Sequence, residues 1–141
     1  MILSTRFTTA LSIATELHVY QERKGKGEPY VAHLLAVTSL VLENGGTEDE
    51  AIAALLHDTL EDQSHQFTGG ADALRDYIQD RFGARVLEIV EACTDTDVTP
   101  KPPWKARKVA YIDHLATADA SVLLVSCADK LHNGRSILQD Y

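Results

Sequence analysis

Four ionisable side chains stand close together at the end of an apolar stretch. His57, Asp58, Glu61 and Asp62 follow the apolar residues 53–56. Burying a charge is unfavourable unless the group is paired or bound to a metal, so this placement indicates a metal or catalytic site. Adjacent side chains diverge by about 100° on an ideal helix, so the His-Asp pair shares one ion only if the helix ends or distorts there. The alternative is an exposed helix end with solvated side chains, although acids at a helix C-terminus oppose the helix dipole.

Two more polar residues, His33 and Asp129, interrupt apolar stretches elsewhere in the chain. Taken alone, a histidine on an apolar face is more often a hydrogen-bonded core residue, and Asp129 has Lys130 and Arg135 as candidate ion-pair partners. Combined with the His-Asp pair, they give two imidazoles and two carboxylates. This mixed set of nitrogen and oxygen donors suits a divalent Mn, Fe, Co or Zn ion and leaves positions for water and phosphate.

The composition limits the function further. A formal net charge of -8 and a pI near 5.1 disfavour nucleic-acid binding, which requires clustered cations. They do not exclude a small phosphorylated substrate. The start of the chain lacks a signal-peptide pattern and no apolar run is long enough to span a membrane, so we expect no membrane partner and a cytoplasmic protein. Cys93 and Cys127 lie in apolar segments without metal-binding spacing and are predicted to be buried free thiols.

The elements that must position these residues are predicted to be helices. Apolar residues recur at spacings of three and four, strand-like alternation is rare, and Thr47 to Glu50 matches a capping box. Prolines and acidic residues make 94–103 a predicted loop. We therefore predict an all-α fold, a compact bundle of six or seven helices in a single domain over 1–141, with the natural chain expected to continue past Tyr141. The predicted helices span 6–23, 30–43, 47–61, 71–81, 84–93, 104–115 and 120–138.

Several motifs together resemble a known family. The sequence HDxxED at 57–62, the sequence Ala-Asp-Lys-Leu-His-Asn at 128–133, and shorter matches at 21–30 and 81–83 resemble HD-domain phosphohydrolases. The similarity is to the hydrolase domain of RelA/SpoT-type enzymes and their small stand-alone relatives. Those enzymes remove the 3′-pyrophosphate from the alarmone (p)ppGpp in the stringent response, usually with Mn²⁺. The resemblance therefore implies an HD-domain bundle, a divalent metal (most simply Mn²⁺) and a small nucleotide substrate.

The resemblance also implies a role for each matching residue. The four metal ligands would be His33, His57, Asp58 and Asp129. Glu61 and Asp62 would order the attacking water or accept its proton. Arg23, Lys24 and Asn133 would contact the nucleotide. The remaining histidines, His18, His65, His114 and His132, have no ligand position to fill and are expected to be structural or on the surface.

Three functions remain open at this stage. The first is a metal-dependent pyrophosphohydrolase acting on (p)ppGpp or a related nucleotide. The second is an HD phosphohydrolase for another nucleotide, such as a nucleoside monophosphate or an NADPH-like phosphate. The third is a catalytically silent nucleotide-binding module, which would be expected to have lost a metal ligand. The basic residues Lys101, Lys105, Arg107 and Lys108 are predicted to be a solvated helix face, with a local basic lip after the proline loop as the alternative. The sequence leaves the oligomeric state open.

Overall fold

A computed structural model describes residues 1–94 and 100–140 of the chain. Among those residues the regular secondary structure is helical, apart from one isolated antiparallel bridge between Glu22 and Pro29. This confirms the all-α prediction. The predicted loop 94–103 lies partly outside the described residues. The helices are α1 (Thr5–Leu17), α2 (Val31–Glu43), α3 (Glu48–Leu56), α4 (Thr59–Asp62), α5 (Gly70–Phe82), α6 (Ala84–Cys93), α7 (Trp104–Leu115) and α8 (Ala120–Asp140), with a 3₁₀ turn at Ser64–Gln66.

The first helix is shorter than predicted. The sequence predicted a helix over 6–23, but α1 ends at Leu17 and His18 caps it. The following residues turn back on the start of α2, since the backbone N–H of Arg23 donates to the Glu28 carbonyl and that of Tyr30 donates to the Gln21 carbonyl. This small hairpin replaces the last turns of the predicted helix and carries the basic residues toward α8.

The predicted third helix, 47–61, is interrupted at His57 and Asp58. Its capping box is present, because Glu50 N–H donates to Thr47 Oγ1 and Thr47 N–H donates to the Glu50 carboxylate. The helix α3 then ends at Leu56, and the one-turn helix α4 starts at Thr59. Thr59 Oγ1 donates to the Leu56 carbonyl at 2.7 Å, which stabilises the junction. In a continuous helix the side chains of His57 and Asp58 would point about 100° apart. The break between α3 and α4 removes this constraint.

The core is centred on α3, which packs against α1, α2, α6 and α8. Its apolar residues 51–56 are all buried, so its C-terminal end is held within the bundle rather than on the surface. Gly83, with φ at +98°, allows the abrupt change of direction between α5 and α6. The parts of α2, α3 and α8 that carry the predicted ligands are therefore fixed relative to one another by close packing.

One burial prediction is wrong. Cys127 is exposed, whereas Cys93 is partly buried and its thiol pKa is raised by burial. The reason is the helical phase of α8, in which Leu123, Cys127 and Leu131 form an exposed stripe although the segment is apolar. No helix among the described residues has the length and apolarity needed to span a membrane. The single-domain assignment stays a prediction.

Candidate metal centre

Three separate helical regions bring the four predicted ligands together. His33 lies in the first turn of α2, His57 and Asp58 form the junction between α3 and α4, and Asp129 lies in the middle of α8. One ligand atom from each of these residues lies within 4.8 Å of the others. His33, His57 and Asp129 are only 1%, 2% and 8% exposed. The candidate centre is therefore nearly enclosed by the bundle.

The distances show how the groups converge. The Nε2 atom of His33 lies 2.9 Å from Asp129 Oδ1 and 3.7 Å from Asp58 Oδ2. The Nε2 atom of His57 lies 3.0 Å from Asp58 Oδ2 and 3.4 Å from Asp129 Oδ1. Two ring nitrogens and two carboxylate oxygens thus face a common point.

The electrostatics of this cluster favour a positive charge within it. Burial would lower the pKa of the His57 imidazole, but the charges and hydrogen bonds of Asp58 and Asp129 outweigh it and raise that pKa well above its usual value. Burial would raise the pKa of Asp58, but His57 and the Tyr30 hydroxyl bring it down to about 2. For Asp129, the hydrogen bonds from His33 and His57 also outweigh burial, and its pKa lies well below its usual range. The two carboxylates therefore favour the protonated form of the His57 imidazole.

The donor set fits a divalent transition ion. Two imidazole nitrogens and two ionised carboxylates are a mixed nitrogen and oxygen set, and their buried carboxylates require a compensating cation. The pairing of Asp129 that the sequence offered as an alternative also exists, since Lys130 Nζ lies 2.7 Å from Asp129 Oδ2. That contact uses the other carboxylate oxygen, so it leaves Oδ1 directed at the two histidines.

Comparison with known proteins assigns the fold. Residues 10–140 match the sequence model of the family described as HD domain. The chain belongs to the HD-domain family. This confirms the family resemblance drawn from the motifs.

Two relatives of this HD domain carry the name of the same hydrolase, and a third carries the name of a pyrophosphokinase. A guanosine-3′,5′-bis(diphosphate) 3′-pyrophosphohydrolase of Xenopus tropicalis, MESH1, is 37% identical over 131 residues, which cover 91% of this chain and 67% of that protein. A protein of the same enzyme name from Aquifex aeolicus is 34% identical, over 91% of this chain but only 17% of its own length. A GTP pyrophosphokinase of Streptomyces coelicolor is 36% identical over 14% of its length.

A solved structure supports the same relationship. It is described as a metazoan ortholog of SpoT that hydrolyses ppGpp and plays a role in starvation responses. It is similar to the HD domain with a TM-score of 0.84 and 29% identity, over 98% of this chain and 73% of that one. The predicted helical bundle and its family are therefore both confirmed.

The predicted acidic pair lies beside the four ligands. One carboxylate oxygen each from Asp58, Glu61 and Asp62 lie within 4.8 Å of one another. Gln21 Nε2 donates to Asp62 Oδ2 at 3.2 Å, while Gln63 Nε2 donates to Gln21 Oε1 at 2.8 Å. Burial and the charge of Asp58 raise the pKa of Asp62 above its ordinary value. Asp62 is thus a stronger base than a solvated aspartate, held in place by an amide network.

The predicted substrate residues border a cavity next to the ligands. Arg23, Lys24 and Asn133 line a cavity of about 660 Å³ that is also bordered by Glu61 and Asp62. In this structure the Arg23 guanidinium donates to Asn133 Oδ1 at 3.2 Å and to Ser136 Oγ at 3.1 Å. The hairpin after α1 and the last turns of α8 therefore form one wall.

Basic residues from the segment 101–108 also border this cavity. Lys101, Arg107 and Lys108 line the same cavity, and Lys108 also lines a smaller cavity of about 350 Å³ that reaches Asp58 and Asp129. The predicted solvated face fits Lys101, which is exposed, whereas Arg107 and Lys108 on α7 are partly buried. Since all three border the cavity, the alternative of a basic lip remains a prediction that this arrangement supports.

Two contacts were missed by sequence reasoning. The Tyr30 hydroxyl donates to Asp58 Oδ2 at 2.6 Å, and burial together with that carboxylate strongly raises the pKa of the phenol, which stays protonated. His132 Nδ1 lies 2.7 Å from His33 Nδ1, a contact with a predicted ligand that the sequence did not indicate. The available signal was helical spacing, because His132 follows Asp129 by three residues and shares its face of α8.

Proposed function

We propose that this HD domain removes the 3′-pyrophosphate of (p)ppGpp by metal-assisted attack of water. One observation carries the proposal. The set of two histidines and two aspartates has an acidic pair beside it, and the adjacent cavity is bordered by several basic residues. Relatives that are 34–37% identical over 91% of this chain bear the name of that enzyme. A silent nucleotide-binding module would be expected to lack a ligand, whereas one candidate ligand atom from each of the four residues lies within 4.8 Å of the others.

The proposed metal is Mn²⁺, held by His33, His57, Asp58 and Asp129. When bound, a divalent ion supplies Lewis-acid chemistry, lowering the pKa of water and polarising a phosphoryl oxygen. Mn²⁺ accepts both imidazole and carboxylate ligands, and it is the metal that the family resemblance implies.

The residues around the ligands perform the remaining tasks. Asp62, with its raised pKa and its hydrogen bond from Gln21, accepts the proton of the attacking water, and the neighbouring Glu61 orders that water. The water oxygen forms a bond to the phosphorus attached to O3′, and the bond from that phosphorus to O3′ breaks. A proton returns to O3′, so ppGpp and water yield GDP and pyrophosphate.

Cations in the cavity hold the substrate. Arg23 is suited to bidentate contact with phosphate, and Lys24, Lys101 and Lys108 add positive charge around the cavity. Nucleotide binding would exchange the contacts of Arg23 with Asn133 and Ser136 for contacts with the substrate. These cations offset the repulsion between a chain of net charge -8 and an anionic nucleotide.

A turnover assay tests the proposal. Metal-free protein is incubated with ppGpp and Mn²⁺, and the products are separated by ion-exchange chromatography. We expect GDP and pyrophosphate from the wild type and a large loss of rate for Asp58→Asn, which keeps the shape of the side chain but removes its charge. No turnover by the wild type, or turnover that Asp58→Asn leaves unchanged, would contradict the proposal.

The same assay separates the alternative substrates. AMP and NADPH are incubated in parallel with ppGpp, and the ratio of their kcat/KM values is compared. We expect ppGpp to be the preferred substrate. A clear preference for either of the other two would instead assign the site to an HD phosphohydrolase of another nucleotide. Location in the cytoplasm stays a prediction.

A further inference from the structure

Both histidines of the candidate centre direct Nε2 toward the aspartates, but their Nδ1 atoms contact different groups. Each directs Nε2 toward the aspartate oxygens, so each presents Nδ1 to the surrounding protein. The Nδ1 atom of His57 lies 2.7 Å from the Ala54 carbonyl oxygen, within its own helix. The Nδ1 atom of His33 instead lies 2.7 Å from Nδ1 of His132, a side chain 99 residues away on α8.

The protonation of a metal-bound imidazole determines what each support must do. A neutral imidazole has one N–H, so a ring that offers Nε2 to a metal must carry its proton on Nδ1. That proton needs an acceptor if the ring is to keep this tautomer and orientation. A carbonyl oxygen fills this role for His57. For His33 the atom in place is His132 Nδ1, which accepts only when it is unprotonated.

We propose that His132 is the positioning residue of His33, accepting the Nδ1 proton of His33 through its own Nδ1 and thereby directing Nε2 of His33 toward the metal. The inference rests on the proposed metal site and deepens it. It assigns no metal contact to His132, which does not belong to the group of ligand atoms that lie within 4.8 Å of one another.

The placement of His132 on α8 supports this role over simple packing. His132 is only partly buried, and the described residues around it provide one short ring contact, to His33, with ring centroids 5.0 Å apart. Asp129, one helical turn earlier, points Oδ1 at Nε2 of the same imidazole at 2.9 Å. One face of α8 therefore contacts both ring nitrogens of His33. Asp129 contacts Nε2, and His132 contacts Nδ1.

A matched pair of substitutions isolates the acceptor. In His132→Asn, the side-chain oxygen can occupy nearly the position of Nδ1, whereas His132→Leu has a similar size and shape but no acceptor. His65→Phe removes an imidazole from an exposed position outside both groups of candidate ligand atoms and serves as the control. The affinity of each metal-stripped protein for Mn²⁺ is measured by calorimetric titration, and circular dichroism checks that each is folded.

We expect His132→Leu to weaken Mn²⁺ binding by about 10–100-fold, the usual effect of losing a partner of a metal-bound histidine. His132→Asn should restore most of the affinity, and His65→Phe should match the wild type. Wild-type affinity in His132→Leu, or equal losses in the Asn and Leu variants, would overturn the inference while leaving the metal site intact. A wild type that binds no Mn²⁺ would overturn the proposed metal site itself.

A measurement on the wild type avoids dependence on the folding of the variants. Zn²⁺, which is diamagnetic, is bound to ¹⁵N-labelled protein and the histidine rings are observed by NMR. We expect the proton of His33 on Nδ1 and a scalar coupling across the hydrogen bond between the two Nδ1 nuclei. A His33 proton on Nε2, or an Nδ1 proton coupled to no second nitrogen, would overturn the inference.

Discussion

At the scale of single residues, Tyr30 shows how a side chain outside the ligand set shapes the centre. Its hydroxyl donates to Asp58 Oδ2 at 2.6 Å and its ring stacks on His18 with centroids 5.2 Å apart. Tyr30→Phe keeps the ring and removes the donor. Hydrogen bonds to charged groups contribute about 1.5–3 kcal/mol, so we expect kcat/KM to fall by roughly tenfold or more. Tyr20→Phe, at an exposed position, is the control. Equal kinetics for Tyr30→Phe and wild type would contradict this role.

The four candidate ligands were accessible from the sequence, but the side chains that contact them were not. His33 and Asp129 stand out because an ionisable group in an apolar stretch requires a partner. By contrast, the contact of Tyr30 with Asp58 spans 28 residues and depends on how the start of α2 lies against the α3–α4 junction. The contact of His33 with His132 spans 99 residues and depends on how α2 packs against α8. Spacing within α8 places His132 on the face that carries Asp129, but it does not show which helix that face contacts.

At the scale of elements, α3 is the helix on which the centre depends, and its start is fixed by the Thr47 cap. Thr47→Ala removes the acceptor for the Glu50 N–H and should destabilise the protein by about 1 kcal/mol, which lowers Tm by about 3 °C. Thr47→Ser keeps the hydroxyl and should match the wild type. Urea unfolding and thermal melting measure both. Because the cap lies at the opposite end of α3 from His57, activity at low temperature should be unchanged. An unaltered unfolding free energy in Thr47→Ala would show that the cap contributes nothing.

Helix boundaries were predictable where a local signal sets them. The capping box at Thr47 and the glycine at 83 both mark boundaries that the structure has. The predicted ends of the first and third helices were wrong, because tertiary contacts determine that these helices end at Leu17 and Leu56. The hairpin bonds between 21–23 and 28–30 end α1 early, and the turn that brings Asp58 toward His57 Nε2 ends α3.

At the scale of the whole molecule, the centre joins three helices from distant parts of the chain. A metal that binds the folded state alone stabilises it, by about 2.7 kcal/mol when its concentration is 100 times its Kd. We therefore expect Mn²⁺ to raise Tm in calorimetry relative to protein kept in chelator. In Asp129→Asn, the ligand from α8 loses its charge and the increase should be strongly reduced. A Tm that Mn²⁺ does not change, or an equal increase in the variant, would contradict binding at these residues.

The proposed hydrolysis of (p)ppGpp depends on one divalent ion held by His33, His57, Asp58 and Asp129. The most direct test titrates Mn²⁺ into metal-stripped protein at a protein concentration well above Kd and follows the release of pyrophosphate from ppGpp. We expect no turnover without metal, a rate that rises until about one ion is bound per chain, and very little rate at any Mn²⁺ concentration for Asp129→Asn. Turnover by the metal-stripped protein, or an Asp129→Asn variant as active as the wild type, would contradict it.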